Sequence, residues 1–187
     1  MSNSVVNLAK ELAEKALQSA SKEELLNADF GGITVAEKLI EQTGVIGEKI
    51  ELSSFEKINA PFVGSYIHAG NKIATLVGLS ANVDGVDEVA KDVAMQAAAM
   101  SPIALNEEGV DKEVIDKEIE IAKDQLRQEG KPEAMLDKIA QGKLKRFFKD
   151  NTLVNQAFIK DGKVSVSDYV KSIGDIEVVD FKRVALG

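Results

Sequence analysis

Two alternating apolar runs, separated by a tight turn and followed at once by an apolar helix pattern, restrict this fold more than any other feature. Phe62-Val63 leads into Tyr66-Ile67-His68, and the run from Ile73 to Leu79 follows after Ala69-Gly70-Asn71-Lys72. Alternation with period two is the mark of a half-buried strand, and a short Gly-Asn connection suits an antiparallel hairpin. Asp84-Gly85 ends the strand region, and residues 86–100 read as an apolar helix stopped by Ser101-Pro102, because proline cannot continue a helix. A hairpin with one face to cover and a helix directly behind it argue for an α+β fold, with small antiparallel sheets covered by helices on one face.

The flanking segments fill in that plan. Leu8, Leu12, Ala16 and Leu17, with Ala9 and Ala13 beside them, mark one face of a helix over residues 4–20. Met1-Ser2-Asn3 read as residues added ahead of it. A polar break over residues 19–24 and a short turn at 24–26 follow. Thr34 with Glu37 three residues on has the spacing of a capping box, so a second helix is expected over residues 35–43, closed by Gly44 and Gly47. Residues 49–53 alternate (Lys49-Ile50-Glu51-Leu52-Ser53) and read as a further strand of a meander, with a break at Ala60-Pro61.

Further on, Ile115, Ile119, Ala122 and Leu126 repeat at spacings of four, three and four, a narrow helical seam over residues 114–128. Gly130 supplies a stop and Pro132 a start for a return helix carrying Met135, Leu136, Ile139 and Ala140 towards Phe147-Phe148. Such a helical hairpin buries its seam against itself, the body of the protein or another copy. The last segment, residues 154–186, alternates over 156–159 and 178–184 around a helix near 166–173, and is expected to finish the sheet.

Leu8-Ala9-Lys10-Glu11-Leu12-Ala13-Glu14-Lys15-Ala16 also aligns with Val89-Ala90-Lys91-Asp92-Val93-Ala94-Met95-Gln96-Ala97, with four identities and three conservative pairs. Alanine-rich helices match each other easily, so shared composition and a duplicated hairpin-plus-helix unit both account for it.

Composition bears chiefly on chemistry. There is no cysteine, which removes disulfides, thiolate metal sites and thiol nucleophiles together and suits a reducing compartment. The formal charge of −8 opposes general binding to phosphate backbones, so no direct nucleic-acid partner is expected. No run has the length of a membrane span and the N-terminus lacks a signal-peptide layout, so the reading is cytoplasmic with no membrane partner.

No Walker-type phosphate loop occurs. Asp29-Phe30-Gly31 copies a kinase triplet without the catalytic loop that would give it meaning. One histidine without cysteine cannot build a usual metal site, and Glu107-Glu108 and Glu23-Glu24 read as solvated helix ends. The basic run from Lys143 to Lys149 sits at a helix C-terminus, where cations are favoured in any case. The expectation is therefore a binding protein, not an enzyme, with no catalytic residue, metal or cofactor. His68, the only histidine, reads from spacing alone as either a hairpin-rim residue or a contact residue.

Five separated stretches resemble elongation factor Ts. They are Gly64-Ser65-Tyr66-Ile67-His68-Ala69-Gly70, the helix from Val89 to Ala99, Gly130-Lys131-Pro132, the stretch from Gly142 to Phe148, and the stretch from Leu153 to Ile159. Order and spacing agree from about Leu8 to Val184. The resemblance implies a guanine-nucleotide exchange factor that binds elongation factor Tu, disturbs its magnesium and phosphate region and lets GDP leave. It also implies two similar subdomains plus a coiled-coil hairpin insertion: residues 1–60 as the remainder of the first subdomain, 61–111 as the start of the second, 112–148 as the hairpin and 149–187 as the end of the second subdomain.

The partner-binding positions it carries over are Ile46 and Gly47, which match the family's Ile-Gly; His68, which matches a contact histidine; and Ile159, which follows the family's Gln-Pro-Phe string. Ala157 stands where that string has proline, which removes a restraint on φ. Without the resemblance, Ile46 would read as ordinary core. The family's N-terminal helical domain and its Thr-Asp-Phe-Val-Ala motif have no match here. The expectation is a chain that begins just upstream of Leu8 within a longer factor, with an open sheet edge that invites a homodimer or disorder of residues 1–20. The competing reading is a dimerisation or scaffold module that binds Tu or itself without exchange.

Overall fold

The first expected helix forms over Asn3–Ala16 (α1) in the computed structural model, which describes residues 3–187. Met1 and Ser2 lie outside the described residues, and Asn3, expected ahead of the helix, is its first residue. The chain forms two units, one ending at Lys57 and the other running from Ile58 to Gly187.

In the first unit, α1 is followed by α2 (Lys22–Asn27), β1 (Asp29–Phe30), β2 (Ile33–Thr34) and α3 (Val35–Ile46). Helix α1 ends earlier than its pattern suggests. Past Ala16 the chain turns, and the buried Ser19 donates its hydroxyl to the Lys15 carbonyl. The β1–β2 pair is antiparallel and leads directly into α3. The capping box is present as expected: Thr34 Oγ1 accepts from the Glu37 N–H at 3.1 Å, and Glu37 Oε2 accepts from the Thr34 N–H at 2.8 Å. Together these satisfy two of the donors that every helix start leaves open. Gly44 lies inside α3 and does not end it. Gly47 ends it, at φ +81°, a conformation that glycine adopts without strain. Leu8, Leu25, Val35 and Leu39 form the core of this unit, with Leu12, Phe30, Ile50, Leu52 and Phe55 packed around it.

Residues 49–53 are not a strand. Ile50 and Leu52 do face the core, which is why the sequence alternates there. The Ile50 N–H, however, goes to Thr43 Oγ1 at 3.0 Å and not to a neighbouring strand. Alternation reports burial, and without a partner ladder it does not make a sheet.

The second unit contains the expected hairpin, β3 (Phe62–Ile67) and β4 (Ile73–Leu79), paired antiparallel with Tyr66 opposite Thr75 and Phe62 opposite Leu79. Its third strand is β7 (Val178–Ala185), antiparallel to β4 with Phe181 opposite Val77, so the order is β3-β4-β7. The C-terminal segment finishes the sheet as the sequence suggests, while the strand expected at residues 49–53, ahead of β3 in a meander, is absent. Helix α4 (Val86–Met100) covers one face, burying Val89, Ala90, Val93, Ala94 and Ala97 against Val77 and Leu79. The valines and the leucine among them contribute roughly 1.5–3 kcal/mol each when fully buried, and each alanine methyl about 0.8 kcal/mol or less. Thr75 is buried with them and donates its hydroxyl to the Ala94 carbonyl at 2.7 Å.

Helices α5 (Lys112–Gln128) and α6 (Leu136–Asn151) form the expected hairpin, turning at Gly130 with φ +76°. Ala122, Leu126, Leu136 and Ala140 of the expected seam are buried, together with Leu144 and Phe148; Ile115, Ile119 and Ile139 are half-buried, and Met135, expected in the seam, is 50% exposed. After α6 come β5 (Ala157–Phe158), β6 (Asp161–Ser165) and α7 (Val166–Lys171). This run repeats the local design of β1, β2 and α3. In each case a short antiparallel pair ends in a hydroxyl residue, Thr34 or Ser165, that caps the next helix. The fold is α+β with small antiparallel sheets in both units. Among the described residues, the first unit has no counterpart of the β3-β4-β7 sheet. No helix among the described residues is long and apolar enough to cross a membrane.

Candidate partner-binding surface

The four sequence-predicted positions all fall at the ends of elements. Ile46 is the last residue of α3 and is half-buried, and Gly47 beside it is exposed. The Gly47 N–H donates to the Thr43 carbonyl at 2.9 Å, closing the helix. Thr43 in turn donates its hydroxyl to Leu39 O and accepts from Ile50, so one threonine ties the helix end to the following segment.

Sequence reasoning passed over two neighbours. Ile40 is 74% exposed and Val45 72% exposed on the same helix. Their signal is positional: Val35 and Leu39 set the inward face of α3, and Ile40 and Val45 fall off it. A groove of about 390 Å³, lined by Leu26, Leu39, Ile40, Thr43, Ile50 and Leu52 among others, lies along this helix.

His68 follows the last residue of β3. Its N–H donates to the Ile73 carbonyl at 2.8 Å, and its own carbonyl accepts from Asn71 at 3.0 Å. The turn requires left-handed backbone at Gly70 (φ +84°) and Asn71 (φ +56°), residue types that tolerate it. The ring is half-buried, edge-on to Tyr66 with centroids 6.0 Å apart, and its Nδ1 lies 3.5 Å from the Tyr66 hydroxyl, the outer limit of a hydrogen bond. Ile67 next to it is 63% exposed. The imidazole is thus set at the rim of the hairpin by its backbone and by one aromatic neighbour.

Ile159 occupies the turn between β5 and β6 and is 49% exposed. Its surroundings are the most elaborated of the four. Phe158 before it is buried and stacks on Tyr169, with ring centroids 4.0 Å apart and planes 13° apart. Lys160 after it places Nζ 2.6 Å from Asp92 Oδ1, and the Tyr169 hydroxyl donates to Asp92 Oδ2 at 2.5 Å. Burial first, and then the Asp92 carboxylate, push the Tyr169 phenol above its ordinary range. Gln96 is fully buried; its Nε2 donates to the Ala157 carbonyl at 3.0 Å and its Oε1 accepts from the Ile159 N–H at 2.9 Å. The sequence did offer a signal for Asp92 and Gln96. They are polar residues four apart within the buried side of α4, and such groups must find partners.

His68 and Ile159 lie in the second unit, and α4 supports both: its Ala90 packs under β3 and its Gln96 holds the β5–β6 turn. Ile46 and Gly47 belong to the first unit. Among the described residues no group of three His, Cys, Asp or Glu is placed to hold a metal. No buried side-chain nitrogen or oxygen among them lacks a hydrogen-bond partner.

Comparison with known proteins identifies the pattern. A family model described as elongation factor TS matches residues 2–187. The elongation factor Ts of Christiangramia forsetii is 68% identical over 183 residues, which is 97% of this chain and 67% of that protein. That of Flavobacterium psychrophilum is 65% identical over 188 residues, covering 100% of this chain and 69% of the relative. The elongation factor Ts of Amoebophilus asiaticus is 46% identical over 184 residues, 96% of this chain and 66% of the relative.

Proposed function

The chain belongs to the elongation factor Ts family, and from that premise we propose that it is a guanine-nucleotide exchange factor that binds elongation factor Tu and promotes release of GDP. The observation that carries this reading is where the four family contact positions fall. Gly47, His68 and Ile159 stand at the solvent-facing ends of elements, and Ile46 borders Gly47. Groups at the rims of rigid elements suit docking to a partner. A nucleophile–base pair would need a different arrangement, with side chains converging on one point.

Exchange of this kind works by differential binding. The factor stabilises the nucleotide-free partner more than the GDP-bound one, and by linkage GDP weakens the factor's affinity by the same ratio. No proton transfer or covalent step is required, so the protein acts by binding and not as a chemical catalyst. Loosening of the magnesium and phosphate site of Tu is the step through which GDP affinity falls. Ile46 and Gly47 from one unit and His68 and Ile159 from the other supply contacts to Tu.

The test is release of a fluorescent GDP from elongation factor Tu, titrated with this chain, beside a direct binding assay. Accelerated, saturable release is the expected result. Binding without release would leave a docking core that does not exchange nucleotide, and absence of both would overturn the proposal.

A further inference from the structure

Ile159 is an exposed aliphatic side chain in a short turn, a place where backbone usually moves freely. Here it does not. The Ile159 N–H points inward to a fully buried glutamine, the carbonyl two residues earlier accepts from the same side chain, and both flanking side chains are anchored, Phe158 by stacking and Lys160 by a carboxylate. Gln96 and Asp92 are one turn apart on α4, so they present their polar groups to the same stretch of chain. A buried amide that makes hydrogen bonds to two backbone groups of one turn leaves that turn little freedom, because releasing it would strand buried donors and acceptors.

We infer that Gln96 and Asp92 are positioning residues: they hold the 157–160 turn so that Ile159 projects as a preformed apolar contact for elongation factor Tu. This rests on the proposed function, which makes Ile159 a contact. Its advantage is entropic, since an apolar group already fixed in its bound conformation loses less freedom on docking. Asp92 adds a second effect. Its carboxylate lies 2.6 Å from the Lys160 Nζ, so the cation next in sequence to Ile159 already has an ion-pair partner before docking.

The first measurement needs no partner. Amide hydrogen exchange by NMR should show the Ile159 N–H protected, exchanging about tenfold or more slower than in Gln96→Leu. Equal exchange in the two proteins would overturn the positioning role.

The second is a double-mutant cycle on binding to Tu with Gln96→Leu and Ile159→Ala. Gln96→Leu should weaken binding about tenfold, and adding it to Ile159→Ala should cost almost nothing more. Losses that simply multiply would mean that Gln96 acts on overall structure and not through Ile159. Should Gln96→Leu not fold, Lys160→Met, which releases only the half-exposed end of the anchor, enters the same cycle with a smaller loss and the same non-additivity. Failure of the parent reading is separately visible: the unaltered chain would not bind Tu at all, whatever the exchange data show. Normal binding by Ile159→Ala would overturn the inference itself.

Discussion

Gly64 of β3 lies directly against Ala90 of α4. A Cβ built at position 64 would collide with the Ala90 Cβ and lie 3.1 Å from its carbonyl carbon and 3.3 Å from its Cα. The obstacle is helix backbone and a side chain with no rotamer to give. Gly64→Ala should therefore push α4 off the sheet, at a cost of about 1–3 kcal/mol of the kind that overpacking exacts. The gain from restricting the unfolded chain is only about 0.4–1 kcal/mol, so the steric term wins. Urea denaturation checks this through a lower midpoint at an unchanged slope. Unchanged stability would mean that the strand–helix spacing is looser than described.

His68→Ala separates contact from packing. The ring is half-buried and touches chiefly Tyr66, so its removal should change stability by no more than about 0.5 kcal/mol. Binding to elongation factor Tu should weaken roughly five- to tenfold, the loss expected when a useful interface side chain is truncated. A large drop in melting temperature with unaltered affinity would return His68 to a packing role at the hairpin rim.

Much of this architecture is legible in local pattern. The alternating runs at 62–79, the helix at 86–100 and the Thr34–Glu37 cap each depend on residues close in sequence, and all three are present. The third strand is legible as a strand that finishes the sheet, but its partner is not. Residues 178–185 pair with 73–79 across most of the second unit, and nothing near either run names its partner. Residues 49–53 mislead for the same reason, since alternation encodes a buried face but not a hydrogen-bonded neighbour. At the candidate site, spacing alone leaves His68 as a rim or a contact residue, and the expected contact roles of Ile46, Gly47, His68 and Ile159 rest on resemblance. Asp92 and Gln96 escaped notice because an apolar helix is read by its apolar residues, and the polar ones within it are assigned to solvent by default.

Tyr169 gives a prediction at high pH. Its phenol is pushed up, by burial first and then by hydrogen bonding to the Asp92 carboxylate, so its folded pKa exceeds the ordinary value of about 10. A proton held more tightly in the folded state stabilises the fold fully below the unfolded pKa. That contribution is lost as pH rises from about 10 towards the folded pKa, because the unfolded chain gains by ionising. The chain has two tyrosines and no tryptophan, so absorbance of phenolate in a Tyr66→Phe background isolates Tyr169. The expected outcome is little ionisation at pH 10–11 while the fold persists, and a steep rise coincident with alkaline unfolding. Ordinary titration near pH 10 in the folded protein would show that the Asp92–Tyr169 bond does not hold in solution.

The turn of the α5–α6 hairpin supplies the acid counterpart. Arg127 lies 2.9 Å from Asp124 and 2.9 Å from Glu133, and Lys123 lies 2.7 Å from Asp137 across the hairpin. Hydrogen bonding first lowers both carboxyls, from Arg127 at Glu133 and from Lys123 at Asp137. Depressed folded pKa values stabilise the fold above the ordinary carboxyl range of about 4, and the contribution fades as pH falls through them. These groups are exposed, so the effect on stability is small and falls further with salt. The site-specific titration is the sharper test. Carbon-detected NMR should find Glu133 and Asp137 both titrating below their usual values. In Arg127→Met, Glu133 should move back up while Asp137, held chiefly by Lys123, stays low. If both rise together, the hairpin turn is one cooperative unit and not two separate bridges. If neither is depressed in the unaltered protein, the cross-hairpin pairs do not persist in solution.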